Sequence, residues 1–159
     1  MSTETNKLVT FRLGEDHFAA DIFSVERVLR YGTPTSVPDM PPYIEGVVDY
    51  QGRVVPIVNL RLRFELPRMD VVSETRTLVL NVGGEWIGVV VDAVTEVASF
   101  TPADLQPPPK MFRGLAGDYL KGIIRRGERL VIFLDVDKLL TSKERIALQE
   151  AGARELAHG

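Results

Sequence analysis

Few residues in the sequence could do chemistry, and none of them stands in a catalytic arrangement. There is no cysteine, which excludes thiol catalysis, disulfides and cysteine-ligated zinc. Of the two histidines, His17 lies in a strand-like run and His158 is the penultimate residue, so they do not have metal-ligand spacing. The serines lack the nucleophile-elbow context of hydrolases, and no glycine-rich segment has the pattern of a phosphate-binding loop. We therefore expect no catalytic residues, no metal and no cofactor.

One pair of carboxylates, Asp135 and Asp137, has a spacing that could serve acid–base chemistry. However, Asp135 matches the N-cap of a short helix and Asp137 its first turn. Acids are favoured at both places because they satisfy free amide groups and the helix dipole. The pair is therefore interpreted as a helix start.

Charge and hydropathy exclude two further classes of protein. The 159 residues carry a net charge of -3, and their basic side chains are scattered rather than gathered in a stripe, which argues against nucleic acid as a partner. No apolar run approaches the roughly 20 residues that a spanning helix needs, so direct membrane insertion is not expected. Residues 1–7 form a polar leader without the features of a signal peptide. The composition is that of one ordinary globular domain.

Short alternating runs joined by turn residues predict four β-hairpins. The paired runs are 8–13 with 17–22, 47–50 with 53–58, 77–82 with 86–91, and 121–125 with 129–134. Pro56 inside one run indicates an edge strand or a bulge. Short helices are predicted at 59–64 and 135–140, each after an N-cap residue, and a longer one from Thr141 to about Ala157.

The chain also repeats itself. With Gly14 aligned on Gly83, six apolar positions of the first half fall on apolar positions of the second without a gap, and Gly46 on Gly122 extends the match. Each half has the pattern of five short strands, which predicts two small barrels because closing a sheet removes its exposed edges. The alternative is one continuous sandwich. We thus expect a mainly β domain at 8–140, with barrels from the halves at roughly 8–66 and 75–140, and a helix and tail at 141–159.

Two sets of apolar residues have a double interpretation. Met111 and Phe112 follow a stiff run of three prolines, which is typical of a pre-ordered contact loop; alternatively they pack as core. Val25, Ile87 and Val94 could line a groove between the barrels, where a partner helix would bind, or could belong to the core. Periodicity alone does not distinguish residues that line a groove from residues of the hydrophobic core.

Several segments together resemble the CheW family, the coupling proteins of bacterial chemotaxis arrays. They are 20–28, 43–61, 88–94, 118–122 and 129–135, and the likeness runs from about Leu8 to Leu140. The resemblance implies two pseudo-repeated five-stranded SH3-like barrels and no enzymatic activity. It implies an adaptor that links the cytoplasmic tip of chemoreceptors to the regulatory domain of the histidine kinase CheA. Such a protein would be cytoplasmic and recruited to receptor arrays at the inner membrane.

The resemblance also implies two binding regions. The receptor groove would comprise Val25, Arg27, Gly46, Asp49, Gln51, Ile87, Gly88 and Val94, its glycines letting a receptor helix approach the backbone. The kinase-contact loop would centre on Gln106, Met111 and Phe112.

At two points the chain departs from the family pattern. The family usually has Asn-Leu-Arg-Gly where this chain has Asp49-Tyr-Gln-Gly52, and an acid where this chain has Arg27. We hypothesise that Arg27 pairs with Asp49 in reversed polarity; the alternative is that both charges are simply solvated. The departures, including Gln51, leave room for a coupling protein of a sister pathway controlling pili or surface behaviour. From another class, a small-barrel ligand- or nucleic-acid-binding module stays open.

Overall fold

The computed structural model describes residues 6–107, 119–141, 143–144, 146–148 and 150, and its fold is mainly β, as predicted. The strands are β1 (Asn6–Leu13), β2 (Asp16–Asp21), β3 (Val25–Arg30), β4 (Ile44–Tyr50), β5 (Arg53–Asn59), β6 (Arg76–Val82), β7 (Glu85–Val91), β8 (Ala93–Phe100), β9 (Leu105–Gln106), β10 (Leu120–Arg126) and β11 (Arg129–Leu134). A short helix, α1 (Leu60–Arg63), and 3-10 turns at Ile22–Ser24, Pro102–Asp104 and Val136–Lys138 join them.

All four predicted hairpins are confirmed, and glycine makes their turns. β1 pairs with β2, β4 with β5, β6 with β7 and β10 with β11, all antiparallel. Gly14, Gly52 and Gly127 turn the chain at φ values of 63°, 78° and 64°, which side chains disfavour. The alternation of apolar and polar residues together with these turns determines where each hairpin forms.

The strands are arranged in two sheets, which give the two SH3-like β units that the resemblance implied. The six-stranded sheet has the order β8-β1-β2-β11-β10-β9, and the five-stranded sheet the order β3-β6-β7-β5-β4. The sixth strand is the two-residue β9. Each sheet takes strands from both halves of the chain, so the sheets are not divided at the boundary between 8–66 and 75–140. Parallel pairs, β2 with β11 and β5 with β7, connect the halves inside each sheet.

Pro56 does not lie on an edge strand, because β5 runs between β7 and β4. The parallel ladder with β7 joins only Ile57 to Asn59, so the missing amide hydrogen of Pro56 falls outside it. The strand opposite Pro56 carries a register shift between Ile44 and Gly46. Those residues stand opposite Val58 and Ile57 rather than Pro56, so the prediction of an edge or a bulge at Pro56 is wrong.

A shared core holds the two sheets together. Phe11 and Phe18 of the six-stranded sheet pack in one buried cluster with Leu80 and Ile87 of the five-stranded sheet. A second cluster, which includes Ile124 and residues of β1, β2, β8 and β11, lies within the six-stranded sheet alone. The two sheets thus share one hydrophobic core and belong to one folding unit.

Polar caps begin the short helices, as the sequence predicts. The Asn59 side chain accepts from the Leu62 amide at 3.2 Å, and the Asp135 side chain accepts from the Asp137 amide at 3.2 Å. The C-terminal helix, described at residues between 143 and 150, starts with a reciprocal box in which Thr141 and Glu144 bond each other's amides. Its Leu148 is buried in the shared core. Within the described residues, no helix has the length and apolarity to cross a membrane.

Candidate partner-binding surface

Two hairpin tips of the five-stranded sheet meet through an aromatic and cationic stack. The rings of Tyr50 and Trp86 lie 5.2 Å apart, and the Arg53 guanidinium carbon sits 3.9 Å from the centre of the Trp86 ring. Arg53 also donates to the carbonyl oxygen of Gly84 at 3.0 Å, which ties the β4–β5 tip to the β6–β7 tip. These side chains are therefore held in place before any partner arrives.

An exposed aromatic residue lies at the same end of the sheet. Phe23, on the 3-10 turn before β3, is 88% exposed. Its amide donates to the Asp21 side chain at 2.9 Å, which fixes the turn. Val25 of β3 pairs with Leu80 of β6, and Asn81, the residue after Leu80, pairs with Trp86 of β7. Phe23 and Trp86 therefore lie at the same end of the five-stranded sheet. Together the end presents Phe23, Tyr50, Arg53 and Trp86, which we call the aromatic surface.

The composition of the aromatic surface is that of a protein-binding site. Trp, Tyr and Arg dominate the energetic hot spots of protein interfaces. An aromatic side chain exposed like Phe23 has a cost in water that burial against a partner would remove. Sequence reasoning did not identify Phe23, Tyr50, Arg53 or Trp86 as contact residues. Alternation assigned Tyr50 and Trp86 to strands, and nothing local signalled that Phe23 faces water.

Two predicted groove residues, Val25 and Val94, are half-buried and pack against the edge of the shared core. Val25 belongs to the five-stranded sheet and Val94 to the six-stranded sheet. Their placement on both sides of the shared core is what a groove between the units requires. That a receptor binds there stays a prediction.

The two glycines predicted to admit a receptor helix have neighbours within the fold. A Cβ added at Gly46, where φ is 143°, would overlap the backbone oxygen of Thr35 in the segment that bridges to β4. A Cβ added at Gly88 would come within 2.5 Å of the Ile57 side chain. Internal packing thus accounts for both glycines. Ile87 is 0% exposed and belongs to the core, so it supports a surface only from beneath.

The hypothesised pair between Arg27 and Asp49 is not formed. Between described residues, the ion pairs are Arg61 with Asp92 and Arg63 with Glu144. Arg27 lies on β3 and Asp49 on β4, which are the two outer strands of the five-stranded sheet order. The Asp49 carboxylate instead accepts from the Gly52 amide at 3.0 Å. Both side chains are exposed, which agrees with the alternative that the two charges are simply solvated.

Of the remaining residues predicted to bind partners, the structure describes Gln51 and Gln106. Gln51 takes a left-handed conformation, with φ at 51°, and its side-chain amide donates through Nε2 to the Tyr50 hydroxyl at 3.1 Å. Gln106 is exposed on β9, where it pairs with Ile123 of β10. Met111 and Phe112 lie outside the described residues.

A largely buried ion pair lies at the junction of the two sheets. Arg61 of α1 donates through Nε to Asp92 at 2.9 Å and through Nη2 to the other carboxylate oxygen, which also accepts from the Gly14 amide at 2.6 Å. Burial alone would raise the pKa of Asp92, but the bonds from Arg61 and Gly14 hold it below its ordinary value. The same contact raises the pKa of Arg61. Because Asp92 stands between β7 and β8, the pair fixes the crossing from one sheet to the other.

A second polar cluster attaches the C-terminal helix. Glu144 accepts from the Tyr43 hydroxyl and pairs with Arg63 at 3.2 Å, while Arg63 donates to the Leu139 carbonyl at 2.9 Å. Burial and the bond to Glu144 raise the pKa of Tyr43 to about 12. Although burial works the other way, the bonds from Thr141 and Tyr43 and the charge of Arg63 lower the pKa of Glu144. The helix is therefore fixed to the fold by polar contacts as well as by Leu148.

In the part of the chain that the structure describes, no three His, Cys, Asp or Glu side chains gather as a metal site. His17 faces β11, and burial together with Arg129 and Arg12 lowers its pKa, so it stays neutral near pH 7. The chemistry that the surface offers is recognition by aromatic and charged side chains.

Comparison with known proteins agrees with the fold. A family model of the CheW-like domain matches residues 7–144. The chain is 35% identical to the chemotaxis protein CheW of Klebsiella aerogenes, over 89% of this chain and 86% of that protein. It is 32% identical to the chemotaxis protein CheW of Treponema pallidum, over 91% of this chain and 87% of that protein. The crystal structure of the scaffolding protein TtCheW from Thermoanaerobacter tengcongensis superposes with a TM-score of 0.82 at 27% identity, over 89% of this chain and 97% of that one. Proteins of this kind are scaffolds rather than enzymes, and the chain belongs to the CheW-like domain family as a coupling protein of chemotaxis.

Proposed function

We propose that the chain is an adaptor that binds the cytoplasmic tip of a chemoreceptor and the regulatory domain of the histidine kinase CheA. It would act in the cytoplasm, at receptor arrays on the inner membrane. The observation that carries the proposal is the aromatic surface, in which Tyr50, Arg53 and Trp86 hold one another in place and Phe23 is exposed.

The receptor side of the proposal uses the groove and the aromatic surface together. The family resemblance implies a receptor whose tip is helical. An amphipathic helix in a groove is a common mode of protein recognition. Val25 and Val94 would provide the apolar walls, and Phe23, just before Val25, would anchor the helix. Asp49 and Gln51, at a tip of the same sheet end, would set the charge and polarity that the receptor has to match.

The kinase side uses the loop that begins at Gln106. β9 ends there with Gln106 exposed, and in the sequence three prolines, a residue type that restricts the backbone, precede Met111 and Phe112. A stiff loop loses little conformational entropy on binding. Two separate surfaces are what an adaptor needs in order to hold two partners at once.

The test is a binding measurement with purified receptor cytoplasmic fragment and purified kinase regulatory domain. Phe23→Ala and Trp86→Ala should each weaken receptor binding by about thirtyfold, the effect of truncating an interface anchor worth about 2 kcal/mol. The matched control is Met69→Ala, because Met69 is a large apolar residue on a loop and is 55% exposed. The control should bind the receptor like the unaltered chain.

Two results would contradict the proposal. If the unaltered chain binds neither partner, the adaptor function is wrong. If it binds both and Phe23→Ala and Trp86→Ala bind like Met69→Ala, the aromatic surface is not the receptor site. Thermal unfolding of every variant shows whether a weakened binder is still folded.

A further inference from the structure

A second charged surface lies at the tip of the β10–β11 hairpin, in the six-stranded sheet. Arg125, Arg126 and Arg129 surround the turn at Gly127 and are all exposed. They line an open cavity of about 750 Å³ together with Asp104, Glu128 and Ile124. The aromatic surface belongs to the other sheet, so this feature is separate from the proposed receptor site.

The register of the hairpin places like charges against each other. Arg126 of β10 pairs directly with Arg129 of β11. Like charges at directly opposed strand positions destabilise a sheet. A hairpin end that keeps two opposed arginines thus has a repulsion that a bound anion would relieve.

Two of the three guanidinium groups have no partner in the described part of the chain. Arg126 donates to the Ser99 carbonyl at 2.8 Å, whereas Arg125 and Arg129 make no hydrogen bond or ion pair with a described residue. The carboxylate of Asp104 accepts from the amide and hydroxyl of Thr101 at 2.9 and 3.1 Å. By strand alternation Arg129 lies on the face of Arg126, and Arg125 lies on the face of Leu130. The two guanidinium groups without a partner therefore lie on either side of the hairpin tip, near one carboxylate already bonded within the fold.

The charge of the hairpin reaches His17 on the neighbouring strand β2. In the sheet register Arg12 of β1 and Val131 of β11 both stand opposite His17 of β2. Burial is the main cause of the lowered pKa of His17, and the charges of Arg129 and Arg12 lower it further. Asp16 acts in the opposite direction. The charges of Arg129 and Arg12 on His17 therefore outweigh that of Asp16.

We propose that the β10–β11 hairpin tip is a docking site for an acidic segment of a partner protein, whose carboxylates bind Arg125 and Arg129. A guanidinium group fits a carboxylate with two parallel hydrogen bonds, and such charge-assisted bonds are stronger than neutral ones. Leu130, exposed and paired with Arg125, offers an apolar contact beside the charges.

A protein segment fits this surface better than a nucleic acid. Glu15, Asp16 and Glu128 lie on or beside the same hairpin ends and would repel a backbone with a charge on every nucleotide. The carboxylates of an acidic segment stand at the ends of flexible side chains, which can turn toward the arginines and away from these acids.

The experiment follows backbone amide NMR shifts of the full chain during titration with a peptide of six glutamates flanked by leucines. We expect the largest shifts at residues 125–130. In the double variant Arg125→Gln with Arg129→Gln, the affinity should fall by about tenfold or more, as expected for lost charge-assisted bonds. The matched control is Arg30→Gln with Arg68→Gln, which removes two exposed positive charges elsewhere and should bind like the unaltered chain. Raising the salt concentration should weaken binding by the unaltered chain.

Three results would overturn the proposal. They are peptide shifts that avoid the hairpin, equal losses in the test and control variants, and a single-stranded oligonucleotide of six phosphates that binds the hairpin as tightly as the peptide. Removing one of the opposed arginines should leave the thermal midpoint unchanged or raise it, so unfolding does not explain a loss. Because receptor and kinase binding are measured separately, failure here leaves the adaptor proposal standing.

Discussion

Replacing Asp92 by Asn should be among the most damaging single changes to the fold. The substitution keeps the shape of the side chain and removes its negative charge. Arg61, which is 8% exposed, would then be a buried cation without a counter-ion. The Gly14 amide would keep an acceptor only if the new side chain turned its oxygen toward it. The contact that would be weakened is the one at the crossing between the two sheets.

The size of the effect follows from the burial of the pair. Breaking a buried ion pair by removing one partner costs roughly 3–5 kcal/mol. The side chains of Arg61 and Asp92 are 10% and 20% exposed, so solvent screens the remaining charge slightly and the lower end applies. We expect a loss of about 3 kcal/mol in the free energy of unfolding. For a chain of this length, that corresponds to a fall of roughly 6–12 °C in Tm.

Urea unfolding followed by fluorescence measures this directly, because Trp86 is the only tryptophan and lies in the five-stranded sheet. The control is Asp70→Asn, the same chemical change at an exposed residue, which should alter stability by less than about 0.5 kcal/mol. A loss below about 1 kcal/mol for Asp92→Asn would refute the reasoning. It would mean that the pair behaves like an ordinary surface ion pair.

Three further predictions concern the backbone, acid stability and the C-terminal helix. Gly46→Ala should cost about 2–4 kcal/mol because of its φ and the Thr35 backbone, whereas Gly32→Ala, with open space around it, should cost little; urea unfolding of both decides this. The pKa values of Asp92 and Glu144 are lowered from 3.8 and 4.5 on folding, so their contribution to stability is full above about pH 4.5 and is lost as pH falls through the folded values. An unfolding series in which stability is flat from pH 5 to pH 2 would contradict that assignment. Glu144→Gln should raise hydrogen exchange in the C-terminal helix by about tenfold while leaving β1 unchanged, and equal exchange in both proteins would count against the polar attachment.

The hairpins could be predicted because their signals are local. Alternation tells which residues of a strand share a face, and a glycine such as Gly14 or Gly127 marks where the chain must turn. The caps at Asn59 and Asp135 were predicted for the same reason, since the bond closes within three residues. Fold class also followed, because many short strands with few helices leave few architectures.

The exchange of strands between the halves could not be predicted from these signals. Apolar alternation indicates which face of a strand is buried, but it does not indicate which other strand pairs with it. The parallel pairs of β2 with β11 and β5 with β7 join segments far apart in the chain, and their geometry depends on the whole core. The internal repeat was visible in the sequence, yet a repeat of two units is equally compatible with separate and with interleaved sheets.

The candidate surface was predictable in part. Val25 and Val94 were expected at the groove and do lie at the border of the shared core. Ile87 has the same kind of apolar pattern and is completely buried, because alternation does not distinguish a wall from the interior. The exposure of Phe23 depends on the 3-10 turn that carries it, which the sequence did not signal.

Reconstitution of receptor, kinase and this chain on vesicles tests the adaptor function most directly. The measured quantity is the rate of kinase phosphorylation with and without receptor stimulus. We predict that the stimulus controls the rate only when the chain is present, and that the chain with Phe23→Ala and Trp86→Ala restores little of that control. A kinase whose response to the stimulus is the same with the chain omitted would contradict the account.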